Sequence, residues 1–255
     1  MNPRPLAGLL AAFLALGCGP ALVARPTPSL GPSITGGGEL VYVGRVFPLR
    51  GAAGAPTYVY ERRVDTRDGG LVSTHVTRDP AGAIQIAESA THRADYTLAR
   101  YTLHTDQLGQ SGEILVDHGE VTFRITDGTH ERTQVERVSG PVVVGPTLVG
   151  TIVGRLDDLE RGATVRVRLA VLERLETIGF DLRVIDHVQG ETRVRMSASS
   201  FLVGLLVDPI TFTFETSTRK LLRLEGRVPP KLRVGDHWSA FDARVEYDFF
   251  AAAYR

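Results

Sequence analysis

Almost every segment from residue 39 onward alternates apolar and polar residues in short runs, each broken by a turn carrying Gly, Pro or Asp. Such a chain builds sheet, because period-two alternation is what a half-buried strand requires. One stretch departs from this rhythm. Residues 147–162 place Leu148, Ile152, Leu156 and Leu159 on one face of a helix. Thr147 is suited to cap its start, and Gly162 stands where helices commonly end. The β-branched Thr151, Ile152 and Val153 oppose it, and Gly150 and Gly154 cost about 1 kcal/mol each relative to Ala. Directly after it, Val165, Val167, Leu169 and Val171 share a face opposite Arg166 and Arg168, as on a strand.

Strands are expected at 40–47, 57–66, 71–78, 83–88, 95–105, 113–117, 120–126 and 129–138, the last polar enough to be an edge. Within 95–105, Tyr96 and Leu98 are expected to face one way and Tyr101 and Leu103 the other. Asp68-Gly69 and Asp127-Gly128 are strong hairpin signals. After the helix, strands are expected at 163–171, 180–187, 191–199, 210–216, 220–227 and 241–249. Pro229-Pro230 demands a break in the ladder, since proline has no N–H to donate. Residues 201–207 are continuously apolar and are expected to be buried or to cover one end of the sheet. The fold class is therefore mainly β: one long antiparallel sheet of roughly 11 to 14 strands, curled into a half-barrel or barrel with one covering helix.

The first 38 residues read differently. Arg4 precedes an apolar run at 6–16, long enough for a signal-peptide core and too short to span a bilayer. The run ends in Ala15-Leu16-Gly17-Cys18. Cys18 is the single cysteine, so no disulfide within the chain is possible. Residues 1–17 read as a signal peptide, 18–38 as an anchor and a Gly/Pro-rich tether, and 39–255 as one β domain. An ordinary cleavable signal is the alternative. Removing 1–17 takes away Arg4, leaving 28 basic against 29 acidic residues, a net −1. That balance excludes nucleic acid as a main partner, which calls for a basic face.

No catalytic constellation is legible. The histidines 75, 92, 104, 118, 130, 187 and 237 form no metal-ligand spacing and read as scattered surface residues. No Gly-x-Ser-x-Gly elbow is present. Asp157-Asp158 is expected to pair with Arg155 or Arg161, and Asp117-His118-Gly119 to form a turn. No catalytic, metal or cofactor-binding residue is assigned, and no cofactor is expected. The strand at 241–249 alternates well enough for an integral outer-membrane barrel, but arginine and glutamate recur on both faces of many strands.

Ala15-Leu16-Gly17-Cys18 resembles the lipobox of bacterial lipoproteins, which implies cleavage before Cys18 and its acylation, palmitate being the usual label. Gly19 after the cysteine implies the outer membrane, with the domain in the periplasm or at the cell surface. A lipobox, a long-stranded sheet and one covering helix resemble the periplasmic lipoprotein-carrier proteins, half-barrels that hold acyl chains. Residues 154–167, Asp208-Pro209-Ile210 and residues 218–226 also resemble a family of exported bacterial proteins of uncharacterised function. Together these imply a non-catalytic, membrane-anchored lipoprotein that binds or carries an apolar molecule such as an acyl chain, in a concavity between sheet and helix. A structural lipoprotein of an envelope complex and an unrecognised hydrolase are the alternatives.

Overall fold

The computed structural model describes residues 38–50, 54–67, 70–200, 204 and 208–251. The signal peptide, Cys18, the tether up to residue 37, Asp68-Gly69 and, Gly204 apart, the apolar run at 201–207 lie outside the described residues.

Fifteen strands form one sheet. The first meander comprises β1 (Glu39–Pro48), β2 (Tyr58–Arg67), β3 (Gly70–Arg78), β4 (Ile84–His92), β5 (Leu98–Thr105), β6 (Gln110–Asp117), β7 (Glu120–Asp127) and β8 (His130–Arg137). Then come a short strand, β9 (Val142–Val143), and two helices, α1 (Gly145–Gly154) and α2 (Leu156–Glu160). The second meander comprises β10 (Val165–Val171), β11 (Glu176–Val188), β12 (Glu191–Ala198), β13 (Ile210–Glu215), β14 (Leu221–Val234) and β15 (His237–Phe249). A 3-10 turn at Leu172–Arg174 joins β10 to β11. The first and last strands, β1 and β15, pair in the middle of the sheet, so the two meanders run outward from that seam to β8 and β9.

All pairings are antiparallel except β9 with β10. That exception explains the helices. Two parallel neighbours cannot be joined by a tight turn, so the chain must cross over between them. The crossover here is α1 and α2.

The expected helix is two helices. Arg155 (φ −115°, ψ 10°) leaves helical geometry and separates them. The first begins earlier than expected, with Pro146 in its opening turn and Val144 as its cap residue. Thr147 sits one turn inside, where its hydroxyl accepts the Val144 N–H at 3.1 Å. The expected apolar face is intact: Leu148, Ile152, Leu156 and Leu159 are all buried. Gly162 ends the segment with φ +88°, a conformation that favours glycine.

The sheet curls, and its ends are tied by side chains rather than by a ladder. On the edge strand β8, exposed along nearly its whole length as its polarity predicts, Glu136 accepts bonds from Arg168 Nη2 at 2.7 Å and from Thr177 N and Oγ1, each at 2.8 Å. The Pro229-Pro230 break takes the form of an irregularity inside a strand that continues: partners are Val228 with Phe241, then Leu232 with Ser239. The backbone freed there is satisfied by the first meander. Lys231 N donates to Gln107 Oε1 at 2.9 Å, and Lys231 O accepts from Tyr58 at 2.7 Å and Gln107 Nε2 at 3.1 Å.

Strand β5 corrects one expectation. A register shift opposite Thr91 and His92 breaks the alternation. Leu98 and Tyr101 therefore enter the same core cluster, with Leu103 packed against it.

The space between α1–α2 and the second meander is occupied. Ile152, Leu156, Leu159, Val167, Leu182, Val194, Met196, Phe212, Phe214 and Leu221 have 0% exposure. Zero exposure leaves no water-sized void against them. The expected apolar concavity is thus filled by the molecule's own side chains.

Candidate functional site

Beneath the start of α1, the inner face of the first meander carries charges where its neighbours carry hydrocarbon. Tyr42, Arg62, His75 and Glu88 are directly opposed in turn across β1, β2, β3 and β4. Arg62 is 0%, Glu88 3% and His75 7% exposed. Buried charges persist only when they are paired or hydrogen-bonded, and the cluster supplies such partners.

Glu88 accepts the Tyr101 hydroxyl at 2.8 Å and faces His75 Nδ1 at 3.4 Å. It also lies against the first residue of α1: a Cβ on Gly145 would stand 3.0 Å from Glu88 Oε1. A carboxylate at a helix N-terminus is favoured by the positive end of the helix dipole. Arg62 Nη2 donates to Ser73 Oγ at 3.0 Å and to the Pro146 carbonyl at 3.3 Å, and its guanidinium lies over the Tyr42 ring. The His75 ring packs on Tyr42 and Tyr60.

A second row adjoins this one. His92 Nδ1 is 2.7 Å from the Arg93 carbonyl, which can only accept. Nδ1 therefore carries the proton, and Nε2 accepts the Ser73 hydroxyl at 2.8 Å. Burial pushes the His92 pKa down, the Arg93 carbonyl opposes this, and the Arg62 charge adds to it. Tyr96 stacks on His92, and α1 presses on Tyr96 through Gly150. Burial raises the Tyr96 pKa, with Arg62 working against it. Burial also holds the Tyr60 and Tyr101 phenols well above their ordinary range, with Glu88 contributing to both.

The Ser73–His92 pair has the tautomer a nucleophilic serine needs. Both residues are buried at 2% exposure or less, so no substrate reaches them in this arrangement. What the cluster can do as it stands is hold α1 by its first turn.

The sequence reading placed His75 and His92 among scattered surface histidines; both are buried here, and this is a correction. The signal available was parity: Ser73, His75 and Thr77 occupy the inward positions of β3, as Arg62 does on β2. The expected ion pairing of Asp158 is observed, with Arg155 at 2.7 Å and Arg161 at 2.5 Å, while Asp157 pairs with Arg219. Asp117-His118-Gly119 is the expected turn, with positive φ at His118 and Gly119. Among the described residues no group of three His, Cys, Asp or Glu side chains is arranged to hold a metal ion. None of their helices is long and apolar enough to cross a membrane.

Fold and site together define a class: a single curled antiparallel sheet whose concave face is covered by a helical crossover lying over a buried polar row. No protein-family model, curated protein or solved structure matches the chain.

Proposed function

We propose that this is an exported, lipid-anchored, non-catalytic envelope protein whose β domain binds an apolar molecule such as an acyl chain beneath α1–α2. One observation carries the reading. A continuous apolar cluster runs from Leu148, Ile152, Leu156 and Leu159 on the helices to Leu182, Met196, Phe212, Phe214 and Leu221 on the sheet. The helices reach this face from a crossover, not from the hydrogen-bonded ladder. They can therefore withdraw without breaking a strand pairing, and an acyl chain would then take the place of their apolar side chains. Burial of such surface is worth about 25 cal/mol per Å² to side chain and ligand alike, so the exchange is close to balanced.

The test is native mass spectrometry of the full chain purified from a bacterial envelope. A copurified lipid supports the reading, and its absence after gentle extraction counts against it. The Cys18→Ala variant tests the anchor: labelled palmitate should enter the wild type and not the variant.

The filled concave face favours a second reading, a scaffold lipoprotein of an envelope complex. Crosslinking in cells separates the two, because a scaffold yields one discrete protein adduct and a carrier does not require one.

A further inference from the structure

On the outer face of the sheet most directly opposed charged residues are of opposite sign; the exceptions are the acidic pairs Glu191 with Glu215 and Asp117 with Glu120, and one pair of arginines. Directly opposed charged residues there are of opposite sign at Arg166 and Asp181, Asp186 and Arg193, Glu225 and Arg244, Arg227 and Asp242, and Glu113 and Arg124. Among the described residues, Arg183 on β11 and Arg195 on β12 are the one directly opposed pair of arginines. Directly opposed side chains leave the sheet on the same face with Cβ atoms about 5 Å apart, and like charges so placed are destabilising. The one carboxylate within reach, Asp181, offsets the repulsion only in part. Asp181 is engaged by Arg166 at 3.0 Å and reaches Arg183 only at 3.9 Å. Arg195 has Thr211 as its other neighbour, without charge, and it makes no hydrogen bond or ion pair among the described residues.

The arginine pair coincides with a recess. Arg183, Arg195, Asp181, Ser197, Ile185 and Ala198 line a depression of about 390 Å³. A register shift between Val184 and Asp186 leaves Ile185 without a partner across the strand pair, and its side chain is 40% exposed at the rim. Bulges of this kind re-aim side chains. Two planar guanidinium forks, a serine hydroxyl, the Asp181 carboxylate and an apolar wall form the hollow, which keeps a net positive charge because Asp181 is one acid against two arginines and is itself engaged by Arg166.

We propose that this recess is a binding site for a phosphate group, held between Arg183 and Arg195 with Ser197 as a further donor. Two arginines suit phosphate because each fork can give two parallel charge-assisted bonds to its oxygens. The bound anion would also remove the repulsion that the empty arrangement carries. The phosphate has two sources, a free phosphate or the head group of an anionic phospholipid. The assignment is independent of what lies beneath α1–α2.

The experiment uses the full chain carrying Cys18→Ala, so that no acyl anchor holds it to a bilayer. One arm titrates inorganic phosphate calorimetrically. The other measures cosedimentation with phosphatidylcholine vesicles made with and without phosphatidylglycerol. The parent should bind in at least one arm, more weakly as salt rises. Binding in the first arm alone identifies free phosphate, and phosphatidylglycerol-dependent binding identifies the lipid head group. Arg183→Gln and Arg195→Gln should each lose about tenfold in affinity, the order expected for one charge-assisted pair. Both should melt at or above the parent's temperature, since each removes a like-charge contact. The assignment is overturned if the parent binds in neither arm, or if the double variant binds as the parent does. It is equally overturned if the variants lose affinity only together with a lower melting temperature, which would mark the arginines as structural.

Discussion

Gly150 shows how closely α1 is seated. A Cβ built there would stand 2.0 Å from Tyr96 Cε1, and the ring is itself stacked on His92. Helix propensity favours Gly150→Ala by about 1 kcal/mol, but forcing a methyl into a packed ring costs about 1–3 kcal/mol, and more where the ring has nowhere to go. The clash wins. Gly150→Ala should lower the melting temperature by several degrees, whereas Gly154→Ala, where a Cβ meets nothing within 4 Å, should leave it unchanged or raise it. Thermal melts of the two variants decide this, and equal behaviour would contradict the seating.

His92 gives the pH dependence its sign. Its folded pKa lies below the ordinary imidazole value of about 6.5. As pH falls through about 6.5, the unfolded chain takes up a proton that the folded chain refuses. The stability contributed is complete above that pH and is lost as pH falls toward the folded value. The carboxyls of Asp95 and Asp158 are also held low, by the Thr97 backbone and hydroxyl and by Arg155 respectively. Their contribution fades only below about pH 4, so the two windows are separate. The urea midpoint should fall between about pH 8 and pH 5.5, and His92→Gln should flatten that slope. A flat profile in the wild type would contradict the burial argument.

Among the elements, β14 is the most informative. Pro229-Pro230 announces an interruption, and the sequence reading stopped the strand at residue 227. The strand continues to Val234 because Gln107 and Tyr58, distant in sequence, satisfy the backbone that the irregularity frees. Gln107→Ala should therefore cost about 1–3 kcal/mol, the penalty for leaving the part-buried Lys231 N–H unsatisfied. Chemical denaturation measures it, and a change under about 0.5 kcal/mol would mean that water replaces the amide.

The helix was legible for the opposite reason: its signal is local. Leu148, Ile152, Leu156 and Leu159 mark their face without reference to anything distant. The break at Arg155 was not legible, since Gly154-Arg155 reads as well in a continuous helix. Nor was the register shift that puts Leu98 and Tyr101 on one side, because a shift depends on the partner strand.

At the scale of the whole molecule, the curled antiparallel sheet with its helical cover was written in the alternation of short segments, and the polar edge at β8 in its composition. The candidate site was not. Arg62, His75 and Glu88 are 13 residues apart at each step and meet only because three hairpins set them in register. No spacing within the chain marks them, and an isolated polar residue on an apolar face looks the same whether it is an error in the assigned parity or one member of a buried row. The filled concave face was equally hidden, since apolar residues facing one another from helix and sheet describe a cavity and a packed core alike.

The account stands or falls on whether α1–α2 yield that face to an apolar ligand. Titration of the full chain with a fluorescent long-chain fatty acid, followed by displacement with unlabelled palmitate, tests this directly. The account predicts saturable binding at one site, displaced by palmitate and weakened by Met196→Glu, which sets a charge in the shared core. Signal that rises without saturation, or saturable binding that Met196→Glu leaves unchanged in a variant shown to be folded, would contradict it.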